Sequence, residues 1–357
     1  MDFSLFFFAD GGAAGADGYR LLLESARFAD EHGLAAVWTP ERHFHPFGGL
    51  YPNPAVTGAA VAAVTERIGI RAGSVVAPLH HPLRIAEEWS VVDNLSGGRV
   101  GLSFASGWHA VDFVLRPENY AERRTAMLET VDTVRRLWRG ETAEFPDGAG
   151  DKQAVRVFPA PVQPELPVWI TSAGSPETAR AAGRLGAGLL THLLGQDHAT
   201  VGQNIAVYRE ELACAADGSA RGHVALMLHT MLGTDRAVVR EQVRAPLSDY
   251  LRSSADLLIK TASTLPLGGI DPNKLPERDR EFLIGHAFTR YFDTSGLFGT
   301  VEDGVATVER LREIGVDEIA CLIDFGVPAD DVLKSLRYIA ELRDRVADRP
   351  DPVGTGG

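Results

Sequence analysis

The stretch IGIRAGSVVAPLHHPLRIAEEWSVVDNLSGGRVGLSFASGWH, Ile68–His109, holds one complete structural unit and the start of the next. Ile68–Val76 reads as a strand, Pro82–Leu95 as a helix closing on Ser96-Gly97-Gly98, and Arg99–Ala105 as a second strand. Strand, crossover helix and strand in that order form the unit from which α/β proteins are built.

The unit repeats in both directions. Upstream, Phe3–Ala9 and Ala35–Trp38 read as strands, with an amphipathic helix at Tyr19–His32 and a small, apolar helix at Pro54–Thr65. Downstream comes a long helix, Asn119–Trp138, then Gly140–Arg156, whose Gly, Asp and Glu suit a surface hairpin or loop. Strands follow at Pro167–Thr171, Ala187–Thr191, Val224–Leu232 and Glu318–Ile323. Helices follow at Ser175–Leu185, Ala199–Ala215, Asp235–Ser254, Val301–Ile314 and Asp330–Arg345. Eight strands alternating with helices suit a closed (β/α)8 TIM barrel or a doubly wound sheet. Eight full units, with no glycine fingerprint after the first strand, favour the barrel. The expected organisation is one α/β barrel domain over residues 1–347, with a Pro/Gly-rich tail at 348–357. An insertion, Thr261–Asp279, carries three prolines and two glycines and is expected to form a mobile lid.

Composition narrows the function. A net charge of −13, spread along the chain, gives no electrostatic reason to expect nucleic acid or an anionic membrane as partner. Two cysteines, Cys214 and Cys321, lie far apart without metal-ligand spacing. The N-terminal apolar run is short and lacks a basic flank, so a cytoplasmic protein is expected.

In a barrel the loops after the strands share one face, and that face carries the chemistry. Five of the eleven histidines fall there, in Trp38–His45, Ala77–Pro82 and Ala105–His109. A catalytic or binding cleft is one reading. The other is that His81-Pro82 begins a helix and His45 is solvated. No common zinc spacing is present, so no metal is expected. After the fifth strand, Ser172-Ala173-Gly174-Ser175 opens a helix with Pro176 at its first position. Small residues at a helix N-terminus suit a phosphate, and they equally suit an ordinary capped helix.

Taken in order, these loops resemble the bacterial luciferase-like flavin monooxygenases over nearly the whole chain. The resemblance rests on W-x-x-E-x-H-F at Trp38–Phe44, Asn53-Pro54, Ala72–Ser74, His81-Pro82, Leu95-Ser96-Gly97-Gly98-Arg99, Ser106-Gly107-Trp108 and Thr178. SGWHAVDFVLRPENYAERR (Ser106–Arg124) and RYFDTSGLFGT (Arg290–Thr300) look closer still to a subgroup found with natural-product assembly lines.

The resemblance implies a two-component enzyme. A separate flavin reductase supplies reduced FMN, molecular oxygen is activated in a dry cleft, and one oxygen atom enters an organic substrate, free or tethered to a carrier protein. It implies catalytic roles for Glu41, Arg42 and His43. Flavin contacts are implied at Gly73 and Ser74, where a non-proline cis peptide is expected, at Ser106, Gly107 and Trp108, and at the phosphate residues Ala173, Gly174 and Thr178. Phe6, Trp38 and Trp108 are the expected apolar walls, with His43 and Ser106 as donors. The helices after strands two and three are the expected homodimer contact. Alternatives are a deazaflavin-dependent oxidoreductase and a non-catalytic flavin-binding protein. One position departs from luciferase: Arg42 stands where the first of two adjacent histidines is found. Arginine cannot act as a base at neutral pH, so luciferase's own acid–base scheme does not carry over.

Overall fold

The computed structural model describes residues 1–8, 18–45, 48–215, 222–253 and 276–347. Most of the expected lid, residues 261–275, and the whole of the expected tail lie outside the described residues.

The strands are β1 (Asp2–Phe6), β2 (Ala36–Thr39), β3 (Gly69–Val76), β4 (Val100–Ala105), β5 (Ala143–Pro146), β6 (Lys152–Val155), β7 (Val168–Thr171), β8 (Gly188–His192), β9 (Val224–Leu232), β10 (Leu297–Gly299) and β11 (Glu318–Leu322). Around them lie α1 (Arg20–Glu31), α2 (Pro54–Ala62), α3 (Pro82–Ser96), α4 (Arg123–Trp138), α5 (Pro176–Arg184), α6 (His198–Ala215), α7 (Arg236–Ser253), α8 (Glu277–Arg290), α9 (Val301–Glu313) and α10 (Ala329–Ala347).

Eight parallel strands close in the order β1-β2-β3-β4-β7-β8-β9-β11 and back to β1. The fold is a (β/α)8 barrel, and its eight strands are those read from the sequence. Gly140–Arg156 holds the antiparallel hairpin β5–β6. The short strand β10 is an addition. It continues the edge of β9 beyond the reach of β11, pairing Leu297 with Thr230. A π-helical turn, Tyr291–Ser295, leads into it from α8. The expected lid is therefore shortened at its end, because Glu277–Asp279 form the first turn of α8 rather than loop.

The motif Leu95-Ser96-Gly97-Gly98-Arg99 has a physical reason at the opposite face from the cleft. Arg99 donates to the carbonyls of Ser96, Ile68 and Thr65, tying the α3–β4 turn to the entry of β3. Asp30 accepts the amides of Glu66, Arg67 and Ile68 at 3.1, 2.7 and 2.7 Å, fixing the same entry from α1.

Small barrels are filled by inward side chains, and here one layer is charged. Glu318, fully buried, accepts Ser4 Oγ at 2.5 Å, Trp38 Nε1 at 2.9 Å and Arg71 Nη1 at 2.7 Å. The Arg71 guanidinium lies over the Trp38 and Trp169 rings, 4.9 and 4.7 Å from their centroids. Trp169 Nε1 donates to His223 Nδ1, which leaves His223 Nε2 to face Glu318 at 3.4 Å. The sequence reading makes Trp38 a wall of the cleft. In the structure its indole N–H is committed to Ser4 and Glu318, while a Cβ on Gly73 would stand 3.2 Å from its ring.

Removing one partner of a buried pair strands the other charge at a cost of about 3–5 kcal/mol. Arg71→Met is expected to lower stability by about that much, and Arg71→Met with Glu318→Leu to recover most of it. Denaturation midpoints of the two variants check this; an additive double variant would show that the charges are not coupled.

Candidate active site

Glu41 is the polar centre of the cleft. It follows β2, its side chain is wholly buried, and it joins two other loops. His43 Nε2 and His80 Nε2 donate to the same oxygen, Oε1, at 2.7 and 2.5 Å, and the Val76 amide donates to Oε2 at 2.7 Å. Burial pushes the Glu41 carboxyl up. The hydrogen bonds from His43 and His80, the His80 charge and the Val76 amide outweigh it, so the group sits below its ordinary value. Burial likewise opposes charge on His80, and the Glu41 bond and charge prevail, raising it. The ligand atoms of Glu41, His43 and His80 lie within 4.8 Å of one another, a convergence across two loops that chain spacing does not reveal.

Arg42 turns away from these imidazoles. It is buried, 3.5 Å from Asp112, and its guanidinium lies 4.7 Å from the centroid of Trp108. Asp112 also accepts from His109 Nδ1 at 3.1 Å. Arg42 thus ties the loop after β2 to the loop after β4. Trp108, an expected wall, is 56% exposed with its ring on Arg42. Ser106 and Gly107 are half-buried beside it.

Gly73–Ser74 is a cis peptide, at the expected position. A Cβ on Gly73 would stand 2.6 Å from Phe6 Cε2, so this close approach needs glycine. Ser74 Oγ lies 2.5 Å from Thr171 Oγ1, and Ser103 Oγ 2.6 Å from it, a hydroxyl chain joining the ends of β3, β4 and β7. The loop after β7 follows directly. Ser175 caps α5 by accepting the Thr178 amide at 3.4 Å, Pro176 is the first helical residue, and Ala173 is exposed in front of them. Gly174 has φ +104°, and a Cβ there would meet Gln196 at 2.9 Å. Gln196 Oε1 is buried without a partner among the described residues.

The histidines divide as physics dictates. His80 enters the cleft, whereas His81 accepts the Leu83 amide at 3.3 Å and starts α3, and His45 is exposed. Sequence reasoning counted His80 among the five loop histidines without singling it out, and it missed Thr171 and Asp324. The last accepts the Phe8 amide at 2.5 Å and the Tyr51 hydroxyl at 3.1 Å. Asp324 stands just beyond the eighth barrel strand, and that position was its available signal.

With this geometry, residues 1–318 match the sequence profile of the luciferase-like monooxygenases. The chain belongs to that family of enzymes, which includes flavin-dependent monooxygenases and F420-dependent oxidoreductases. It is 27% identical over 162 residues to the oxygenase component of a flavin-dependent trigonelline monooxygenase of Acinetobacter baylyi, covering 43% of each chain. It is 30% identical over 274 residues to an F420-dependent glucose-6-phosphate dehydrogenase of Amycolatopsis mediterranei, covering 70% of this chain and 78% of the relative. Among solved structures, it superposes with TM-score 0.77 on the oxygenating constituent of 3,6-diketocamphane monooxygenase from Pseudomonas putida in complex with FMN. That pair shares 17% identity and covers 96% and 97% of the two chains, a likeness of fold.

The paired shifts of Glu41 and His80 set a pH window. His80 is raised, so its contribution is complete below its ordinary 6.5 and fades as pH rises through the raised value. Glu41 is lowered, so its contribution is complete above its ordinary 4.5 and fades as pH falls through the lowered value. Glu41→Gln is expected to cost about 1.5–3 kcal/mol, with the deficit greatest between pH 4.5 and 6.5. Stability of both proteins across pH checks this; a deficit independent of pH would mean the pair is not ionic.

Proposed function

We propose that the protein is the oxygenase component of a two-component FMN monooxygenase. It takes reduced FMN from a separate reductase and places one oxygen atom in an organic secondary-metabolite substrate, free or carrier-bound. The observation carrying this reading is the cleft itself. A buried Glu41 holds two imidazoles beside the Gly73–Ser74 peptide, within a family that includes oxygenase components. FMN, when bound, supplies the oxygen chemistry.

The chain's own residues have separate tasks in this reading. Gly73 and Ser74 offer backbone to the flavin ring, while Ser106, Gly107 and Trp108 flank it. Ala173, Gly174 and Thr178 receive the phosphate at the start of α5, where the helix dipole favours an anion. The Gly174–Gln196 cradle supports that fit: glycine leaves the approach open, and Gln196 Oε1 is a buried acceptor ready for a hydroxyl of the flavin side chain. Glu41 orients His43 and His80, whose Nδ1 atoms are left to exchange protons with the reacting groups. Arg42 is a positioning residue through Asp112 and Trp108. Closed loops exclude water from the cleft, and the reaction takes place in the cytoplasm.

The deazaflavin reading has one observation in its favour, the longer alignment to the F420-dependent relative. Oxygen consumption separates the two. Against a control of reduced FMN alone, which oxygen oxidises unaided to give peroxide, the protein given reduced FMN is expected to change the rate of oxygen consumption, and without an added reductase it is expected not to oxidise NADH or NADPH steadily. Tight binding of a deazaflavin with no oxygen consumption would replace the FMN reading.

The assembly we propose is a homodimer through α2 and α3. Val56, Val91 and Leu95 are 66%, 45% and 61% exposed on these helices, large apolar groups that a second subunit would cover. Light scattering at micromolar concentration is expected to give twice the chain mass, and Val56→Glu with Leu95→Glu the mass of one chain. A monomeric wild type would remove the dimer.

A further inference from the structure

His229 lies in the C-terminal half of β9. Its register partner is Leu322, and Ala225, four residues earlier, pairs with inward-facing Glu318. With a strand's period of two, His229 therefore faces the barrel interior near the cleft. Its ring is fully buried among Tyr250, Tyr291 and Phe325, with centroids 4.3, 5.2 and 5.4 Å away and all edge-on. Nδ1 lies 2.9 Å from the Tyr291 hydroxyl. Nε2 is buried and has no partner among the described residues.

Counting protons assigns the tautomer. If Nδ1 carried the proton and donated to Tyr291, both the Nε2 lone pair and the Tyr291 proton would be left over. If Tyr291 donates to Nδ1, only the Nε2–H is left over. Each unpaired buried group is costly, so the second arrangement prevails. Burial, helped by the charge of His192, pushes the imidazole down to about 3, so the ring is neutral across the physiological range.

A neutral N–H in an aromatic enclosure selects its partner. An anion would bring an uncompensated charge into the interior. A hydroxyl would bring a second proton needing its own acceptor, and a hydrocarbon would leave the donor unpaired. A carbonyl oxygen does none of these. We propose that His229 Nε2–H is a binding-site donor to an uncharged carbonyl oxygen of a cleft ligand, with Tyr291 as the positioning residue that holds its tautomer. Resting on the FMN reading above, two sources of that oxygen arise: a ring carbonyl of the flavin, or a carbonyl of the organic substrate.

Two substitutions separate binding from support. In His229→Asn the amide oxygen takes the Nδ1 position and keeps the Tyr291 bond, but the reach of Nε2 is lost. In His229→Gln an N–H returns near the Nε2 position. The experiment is histidine 15N NMR of the full chain, with the His229 signal identified by its loss in His229→Asn, followed by anaerobic titrations with reduced FMN and with cyclohexanone. The expected ring is Nε2-protonated and neutral from about pH 5 to about 8, and one ligand shifts its N–H. That ligand binds about tenfold more weakly to His229→Asn, the factor one such hydrogen bond is worth, and near normally to His229→Gln. The FMN arm responding identifies the flavin carbonyl; the cyclohexanone arm responding identifies a substrate carbonyl. An Nδ1-protonated ring, or a wild-type Nε2–H that answers to neither ligand, overturns the proposal. Failure of the wild type to bind reduced FMN sinks the FMN reading instead, and leaves the tautomer and cyclohexanone arms to judge His229.

Discussion

The Arg71–Glu318 pair, held between two indoles, is the constraint on which the cleft is built. An eight-strand barrel has an interior just wide enough for side chains, and one layer here is filled by ions rather than hydrocarbon. Glu318 takes hydrogen bonds from β1, β2 and β3 while itself belonging to β11, so one carboxylate locks four neighbouring strands in register. Such a layer is favourable only while every partner is present, since a buried charge left alone costs more than the pair gains. That requirement makes the floor stiff, and the groups above it inherit fixed positions.

Above the floor the same device recurs with loops in place of strands. Each cleft carboxylate is held by at least one group from another segment: Glu41 by His80 and the Val76 amide besides its neighbour His43, Asp112 by Arg42 besides its neighbour His109, Asp324 by the Phe8 amide and Tyr51. Low local dielectric strengthens each bond and penalises each vacancy. The loops are long and irregular, yet the polar atoms they carry are pinned to one another, and a site on loops gains the precision of a site on strands.

The barrel was legible because its strands are short apolar runs set between helical periods, a signal held in neighbouring residues. β10 escaped because three residues, Leu297–Gly299, carry no period of their own; only the open edge of β9 makes them a strand. Glu41 and His43 could be read because a single residue separates them and a recognisable loop holds both. His80 could not be told from His81 by composition. What distinguishes them is that Pro82 commits His81 to the start of α3, leaving His80 to reach Glu41. Arg71 and Glu318 are 247 positions apart, and no local pattern announces an ion pair inside a barrel. Trp38 illustrates the same limit: its place in the chain suggests a cleft wall, and nothing local announces its N–H bond to Glu318, 280 positions away.

Arg42 alters the proton chemistry open to this cleft more than its one position suggests. Its guanidinium keeps its charge and spends it on Asp112, so it neither takes up nor releases a proton. In the reading proposed above, proton exchange then falls to His43 and His80, and both are bound through Nε2 to a single oxygen of Glu41. Taking a proton from either Nε2 would break a short bond to a buried carboxylate and leave that carboxylate less well compensated. The Nδ1 atoms are the ones not committed to Glu41. In that reading a proton passed between these imidazoles and a bound ligand travels through Nδ1, while Glu41 holds both rings in orientation and its lowered carboxyl stays ionised.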